Sequence, residues 1–246
     1  MDQTWIYLSL IIAAFLAGII RSVAGFGAGI ILLLVLPRFF DVITAATLNQ
    51  AICTGLTIIM AIRYRKYIEG RKVLLPGIAF ILASVVTIRL LKNLDLSWLG
   101  AALGFFLLAL SLYYLFGAKR ISIRPTLLLA VGFGLISGVL SGLFSIGVTL
   151  MAMYFLALTE DRNHYMGDLQ SVMAVSNIIS MSTRISAGFY TGNLILPTLV
   201  GFAGVLIGQQ LGDRIAGRLN AEKINRFIYI LVGLTGIETI IRQLVL

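Results

Sequence analysis

Arg21 lies in the run RSVAGFGAGIILLLVLP, where Gly25, Gly27 and Gly29 follow it closely and no other charge occurs. A guanidinium presents a planar fork of donors that matches an oxyanion. Glycine permits backbone conformations that other residues resist, so a helix crossing this run is most cheaply interrupted there. A helix that restarts after the interruption points unpaired N–H groups and a partial positive charge at whatever lies before it. An arginine beside such an end, with small residues that let a ligand approach the backbone, has the chemistry of an anion site. A charge within an apolar segment is costly and is first read as functional. The structural alternative is that Arg21 snorkels to an interface or pairs with a carbonyl.

The elements that must position this run are membrane helices. The chain has 246 residues, 59% hydrophobic and 12% charged, with a mean hydropathy of +1.02. That composition predicts an all-α polytopic membrane protein, since only helices or closed barrels cross a bilayer. Leu96 to Phe116 supplies 21 residues without a formal charge, about the length of one crossing. No polar stretch is long enough for a soluble domain, so function falls to membrane segments and short loops, and an enzyme is not expected. The first residues, MDQTWIYLSL, lack the basic start of a cleaved signal and read as a retained segment. Cys53 is the single cysteine, which excludes an intramolecular disulfide and a dithiol relay. The net charge of +9 fits basic cytoplasmic loops better than nucleic-acid binding. Metal-ligand spacing, a nucleophile constellation and a phosphate loop are all missing from the sequence, and no cofactor is expected.

The Gly-rich run has an echo in SGLFSIGVTLMAMYFL, which aligns Gly27 and Gly29 with Ser145 and Gly147. Downstream, TLNQAI matches GDLQSV, pairing Gln50 with Gln170, and LLPG matches ILPT, pairing Pro76 with Pro197. Four landmarks in one order predict a duplication, with a first membrane repeat over 1–118 and a second over 119–246 within one integral membrane domain. Each repeat is a long Gly-rich segment, about Trp5 to Leu36 and Thr126 to Leu158, followed by three ordinary helices. A continuous helix of roughly 32 residues would be about 48 Å long, against a hydrocarbon core of about 30 Å. Each long segment must therefore break, tilt or fold back.

Two topologies follow. Eight spans in two parallel four-helix repeats would leave ten Lys/Arg inside and eight outside, almost no bias. Two inverted repeats with broken or re-entrant Gly-rich segments leave thirteen inside and five outside, the latter being Arg38, Arg89, Lys92, Arg184 and Arg242. The inverted arrangement fits the preference of basic residues for the cytoplasmic side better.

These residues resemble the TauE/SafE sulfite-exporter family of membrane permeases. The resemblance rests on AGFGAGIILLLVLP, its echo SGLFSIGVTLMAMYFL, the repeated halves and the length, and it spans essentially the whole chain. It implies a bacterial inner-membrane transporter of small anions, often sulfur oxyanions or organosulfonates such as sulfite or sulfoacetate. Two departures bear on the substrate. Family members often carry a small hydroxyl residue in the second helix of each half, where this chain has Asn49 and Gln50, then Leu169, Gln170 and Ser171. The second Gly-rich segment also has Ser145 and Val148 where glycines would be common.

Inverted repeats with interrupted segments commonly bind their substrate near the midplane between the halves. The expected site therefore joins Arg21, Gly25, Gly27 and Gly29 with Ser145 and Gly147, at half-helices beginning near Gly29 and Gly147. Only the first half supplies the charge, because Val139 aligns with Arg21. Gln50 and Gln170, with Asn49 and Asn177 behind them, could donate to a substrate oxygen without the cost of a buried ion. Their structural alternative is interhelical hydrogen bonding.

The loop TEDRNHYMGD places His164, the only histidine, beside Glu160, Asp161 and Asp168. It reads as a solvated loop before it reads as a proton relay. Glu238 falls near enough to the end to reach an interface. Gly204, Gly208 and Gly212 recur at a spacing that packs helices closely, and RYRKYIEGRK is a basic anchor toward lipid heads.

The reading is a secondary transporter of a small anion working by alternating access between two repeats. Its partners would be the anion, a coupling proton or sodium ion, and membrane lipids. A homodimer is compatible with it, and nucleic acid is not a partner. The rivals are an anion channel of the same fold and a membrane assembly partner that transports nothing.

Overall fold

The computed structural model describes residues 3–24, 27–93, 98–117, 126–159, 161–215 and 221–245. Among the described residues all regular structure is helical. The first half contains α1 (Gln3–Ala24), α2 (Ala28–Val35), α3 (Val42–Tyr64), α4 (Gly70–Leu91) and α5 (Leu99–Leu112). The second contains α6 (Leu127–Phe144), α7 (Val148–Leu158), α8 (Arg162–Ser186), α9 (Ile195–Ile215) and α10 (Ala221–Val245). Six of these, α1, α3, α4, α5, α6 and α9, are long and apolar enough to cross a membrane.

Both Gly-rich segments break, as their length required, at Gly27 and at Ser145–Gly147. α2 packs back on α1 and α7 on α6. Gly147 lies against the Ser137 carbonyl and the Ser141 side chain, one to two turns before α6 ends, so the chain has reversed there. Polar side chains start the helices that follow. Asp41 Oδ1 accepts the Ile43 and Thr44 N–H groups at 3.1 and 3.0 Å to begin α3. Asp161 accepts the Asn163 N–H at 3.1 Å to begin α8. The stretch TEDRNHYMGD is thus mostly helix rather than loop, because an aspartate cap satisfies a free N–H of its first turn.

The halves interlock. α3 and α8 run antiparallel at the centre, with Thr47 meeting Arg184, Gln50 meeting Asn177, and Tyr67 meeting His164. α5 and α10 are also antiparallel, bringing Gly104 to Ile240 and Ser111 to the Tyr229 carbonyl. By contrast α1 runs parallel to α9 and α6 parallel to α4. The first helix of each half therefore packs on the third long helix of the other.

Small residues set these parallel contacts. A Cβ on Gly18 would meet the Val205 carbonyl, and one on Gly142 would meet Thr87 and the Ser84 carbonyl. Gly204, Gly208 and Gly212 press on Ala14, Phe15 and Ser22, the close packing their spacing implied. Val205 and Ser84 each stand eight residues after the prolines aligned in sequence, Pro197 and Pro76, so Gly18 and Gly142 are equivalent in packing.

The polarity is that of a protein solvated by lipid. Leu128 is 82% exposed while Asn49 and Arg184 are 0% exposed. α8, the polar exception among the long helices, hides Asp168, Gln170, Asn177 and Arg184 inside the bundle, where intramembrane polar groups find partners. Arg184, counted above with the outer loops, is in fact in the last turn of α8 and fully buried.

Candidate functional site

The two tips meet beside α3 and α8. At the first, Gly27 takes a left-handed conformation, φ 99°, and α2 starts without a side-chain cap. At the second, the residue aligned with it, Ser145, is also left-handed, φ 60°, and is the only non-glycine with positive φ among the described residues. α7 likewise starts without a side-chain cap. The tips touch: a Cβ on Gly29 would sit 3.5 Å from the Ser145 carbonyl oxygen and 3.0 Å from Asn49 Nδ2.

Between them lies a cavity of about 30 Å³ lined by Arg21, Gly27, Gly29, Gln50, Ser145, Gln170 and Asn177, together with Cys53, Thr57, Ser141 and Met173. Seven of the ten residues expected from sequence thus share one space. Asn49 stands just behind it and donates through Nδ2 to the Ser145 carbonyl at 3.4 Å. Gly147 belongs to the α6–α7 contact instead, because the reversal presses it onto Ser137 and Ser141. Gly25 lies outside the described residues.

Arg21 is 5% exposed and donates from Nη2 to Gln170 Oε1 at 2.9 Å, while its Nε has no partner among the described residues. The interface-snorkelling alternative does not apply to a guanidinium this buried. Gln50 Nε2 donates to Asn177 Oδ1 at 2.6 Å, and Asn177 Nδ2 to Thr57 Oγ1 at 3.1 Å. The amides therefore make interhelical bonds and line the cavity at once.

Packing also changes the correspondence between the tips. From the equivalent glycines it is nine residues from Gly18 to Gly27 but three from Gly142 to Ser145. The register set by packing puts Ser145, rather than Val139, level with Arg21, and Val139 is 41% exposed.

Compared with known families, residues 10–239 match the family described as Sulfite exporter TauE/SafE. The chain belongs to the TauE/SafE sulfite exporter family. Comparison with curated proteins and with solved structures gave no match. Membership of TauE/SafE over nearly the whole chain makes it a membrane transport protein, in agreement with the apolar helices.

Arg184 is the functional candidate that the sequence reading missed in this TauE/SafE chain. Its Nη2 donates to the Gly142 carbonyl at 2.6 Å, the Ser141 carbonyl at 3.3 Å and Ser145 Oγ at 3.2 Å, and Nη1 to Thr47 Oγ1 at 3.1 Å. It clamps the C-terminal end of α6, where free carbonyls and the negative end of the helix dipole favour a cation. The sequence carried a signal for it. Gln170, Asn177 and Arg184 recur every seven residues, two turns of one helix face, as do Gln50 and Thr57 on α3.

The His164 group lies away from the cavity, at the end of the bundle where the α3–α4 connection meets α8. His164 Nδ1 is 3.0 Å from the Tyr67 carbonyl oxygen and 3.4 Å from Glu69 Oε1. Glu238 pairs with Arg38 at 2.6 Å, both half exposed, at the opposite end.

Proposed function

We propose that the chain is a secondary transporter that carries a small anion, a sulfur oxyanion or organosulfonate such as sulfite or sulfoacetate. Transport proceeds by alternating access between two inverted halves, 1–118 and 119–246, with the substrate held between the tips at Gly27 and Ser145. The observation that carries this reading is the charge balance of the interior. Arg21 and Arg184 are both buried, and neither has an acidic partner among the described residues. The buried carboxylate of Asp168 is engaged elsewhere, accepting the Glu69 N–H at 2.7 Å. An uncompensated interior charge is costly, and an anion in the cavity supplies the missing counter-charge. The uncapped starts of α2 and α7 add N–H groups to the same place.

The antiparallel α3/α8 and α5/α10 pairs support the inverted relation, because equivalent helices in opposed halves must run in opposite directions. Broken segments meeting at a buried site fit a carrier with moving tips. Coupling to a proton or sodium ion, a homodimer and a bacterial inner-membrane location complete the proposal.

The first test is thermal unfolding of the purified chain in detergent against sulfite, sulfate, small sulfonates, sulfoacetate, carboxylates and chloride. A ligand that binds only the folded state raises the midpoint with its occupancy. A saturable rise with one sulfur anion, lost in Arg21→Ala, is the expected result. Stabilisation by neutral or cationic solutes alone would end the anion assignment. In vesicles, Arg21→Ala and Gly29→Leu should each abolish uptake of that anion, the second because a side chain at position 29 runs into Asn49.

A further inference from the structure

Among the described residues, two buried polar atoms in the cavity lining have no partner: Arg21 Nε, a donor, and Gln50 Oε1, an acceptor. Arg21 is 5% exposed and Gln50 2%. The donor suits an anion. The acceptor does not, since a bare anion brings only further lone pairs toward it.

The orientation of the Gln50 amide follows from its neighbours. Thr57 has one hydroxyl hydrogen, and the Thr54 carbonyl one turn back takes it at 2.8 Å. Thr57 Oγ1 can then only accept, so Asn177 turns its Nδ2 to it and presents Oδ1 to Gln50. Gln50 must answer that oxygen with Nε2, at 2.6 Å. Oε1 is the atom left over. Reversing it would set two oxygens or two amide nitrogens against each other somewhere along the chain from α3 to α8.

An orphaned buried acceptor is expensive, and a site containing one discriminates against ligands that cannot donate to it. Resting on the anion-carrier reading above, we propose that Gln50 is a specificity-determining residue and that the carried species is an anion bearing its own hydrogen-bond donor. The class is the singly protonated oxyanion, such as hydrogen sulfite, whose O–H reaches Gln50 Oε1 while its oxygens face Arg21. A sulfonate of the same charge and similar shape has no donor and leaves the amide oxygen unsatisfied. A dianion brings more charge and no proton. A space of about 30 Å³ holds only a water-sized group, so the tips part to admit the ligand and the pairing forms as they close on it.

The experiment measures binding by thermal unfolding of the full chain in detergent, with sodium sulfite and methanesulfonate as concentration series on the mildly acid and mildly alkaline sides of neutrality. Sulfite is singly protonated on the first side and a bare dianion on the second. Methanesulfonate does not titrate and reports any change in the protein itself. Hydrogen sulfite should bind at least about tenfold more tightly than methanesulfonate, the cost of one unsatisfied buried acceptor. That advantage should disappear on the alkaline side. In Gln50→Met, which keeps the length and removes the acceptor, the two ligands should bind within about threefold of each other, whatever the loss of the Asn177 bond does to their common affinity.

Methanesulfonate binding as well as hydrogen sulfite in the unaltered chain, or a preference that survives alkali, overturns the proposal without any variant. A preference that persists in a folded Gln50→Met protein overturns the role of Gln50. Binding of neither anion, nor of any other in the panel above, overturns the carrier reading itself. Anion binding without a donor preference leaves that reading standing and removes only this inference. A water molecule as the sole partner of Gln50 would give that last pattern.

Discussion

The two tips occupy matching places in the halves yet are held in opposite ways. At the first, no atom of the described residues lies within 4 Å of where a Cβ on Gly27 would project, and the arginine beside it makes one side-chain bond among them, to Gln170. At the second, Ser145 has a side chain in a backbone conformation that costs about 1–2 kcal/mol outside glycine. It is pinned there by Ala46, Asn49 and Arg184. Strain of this kind persists where the surroundings over-determine it. Two arginines therefore do different work: Arg184 fixes a tip, and Arg21 waits at an open one.

Replacing the clamp should have the largest effect on stability. Arg184→Ala takes the guanidinium from the Gly142 carbonyl, Ser145 Oγ and Thr47 Oγ1, while the Ser141 carbonyl keeps the Ser145 N–H, and should lower stability by about 3 kcal/mol, read as the unfolding midpoint in detergent. A midpoint equal to the unaltered protein's would mean that the second tip holds itself. At the open tip, Gly27→Ala meets no neighbour, so its cost is conformational alone, about 1–2 kcal/mol. A larger loss would mean that the tip is crowded, contrary to the space around it.

Arg21→Ala sharpens the contrast further. Loss of the Gln170 bond is offset by removal of an uncompensated charge, so stability should stay within about 1 kcal/mol, while anion uptake into vesicles is abolished. Equal damage to stability from both arginines would mean that Arg21 holds its tip as Arg184 does. The smallest change belongs to Ser145→Gly. Relief of the left-handed strain and loss of the hydroxyl's bonds to Ala46 and Arg184 oppose each other, leaving a net effect within about 1 kcal/mol. Uptake should survive this substitution, and its loss would show that the hydroxyl, not the backbone, is what the second tip contributes.

Much of this was legible in the chain because membrane physics writes it in simple terms. Apolar runs set the helices, the excess length of two segments required breaks, and aligned Gly27 and Ser145 marked both turns. Arg21, Gln50, Gln170 and Asn177 stood out as polar residues among apolar ones. Arg184 did not stand out by residue type, since an arginine at the end of a helix looks the same whether it faces water or the interior, and only its seven-residue spacing from Gln170 and Asn177 put it on their face. The two tips also appeared equivalent along the sequence. Only packing set Gly18 against Val205 and Gly142 against Ser84, which makes the first tip six residues longer.

By itself, then, the sequence determined an all-helical membrane protein with two Gly-rich breaks and a polar set suited to an anion. Hydropathy, helix rise and glycine's backbone freedom act locally along the chain. Which arginine holds the end of α6 and which lines the cavity, that Gln50 keeps an orphaned oxygen among the described residues, and that Gly147 packs on Ser137 and Ser141 were decided only by the tertiary structure. Those outcomes depend on which groups from opposite halves meet, and hydrogen-bond partners more than 100 residues apart, as Gln50 and Asn177 are, leave no mark in local spacing.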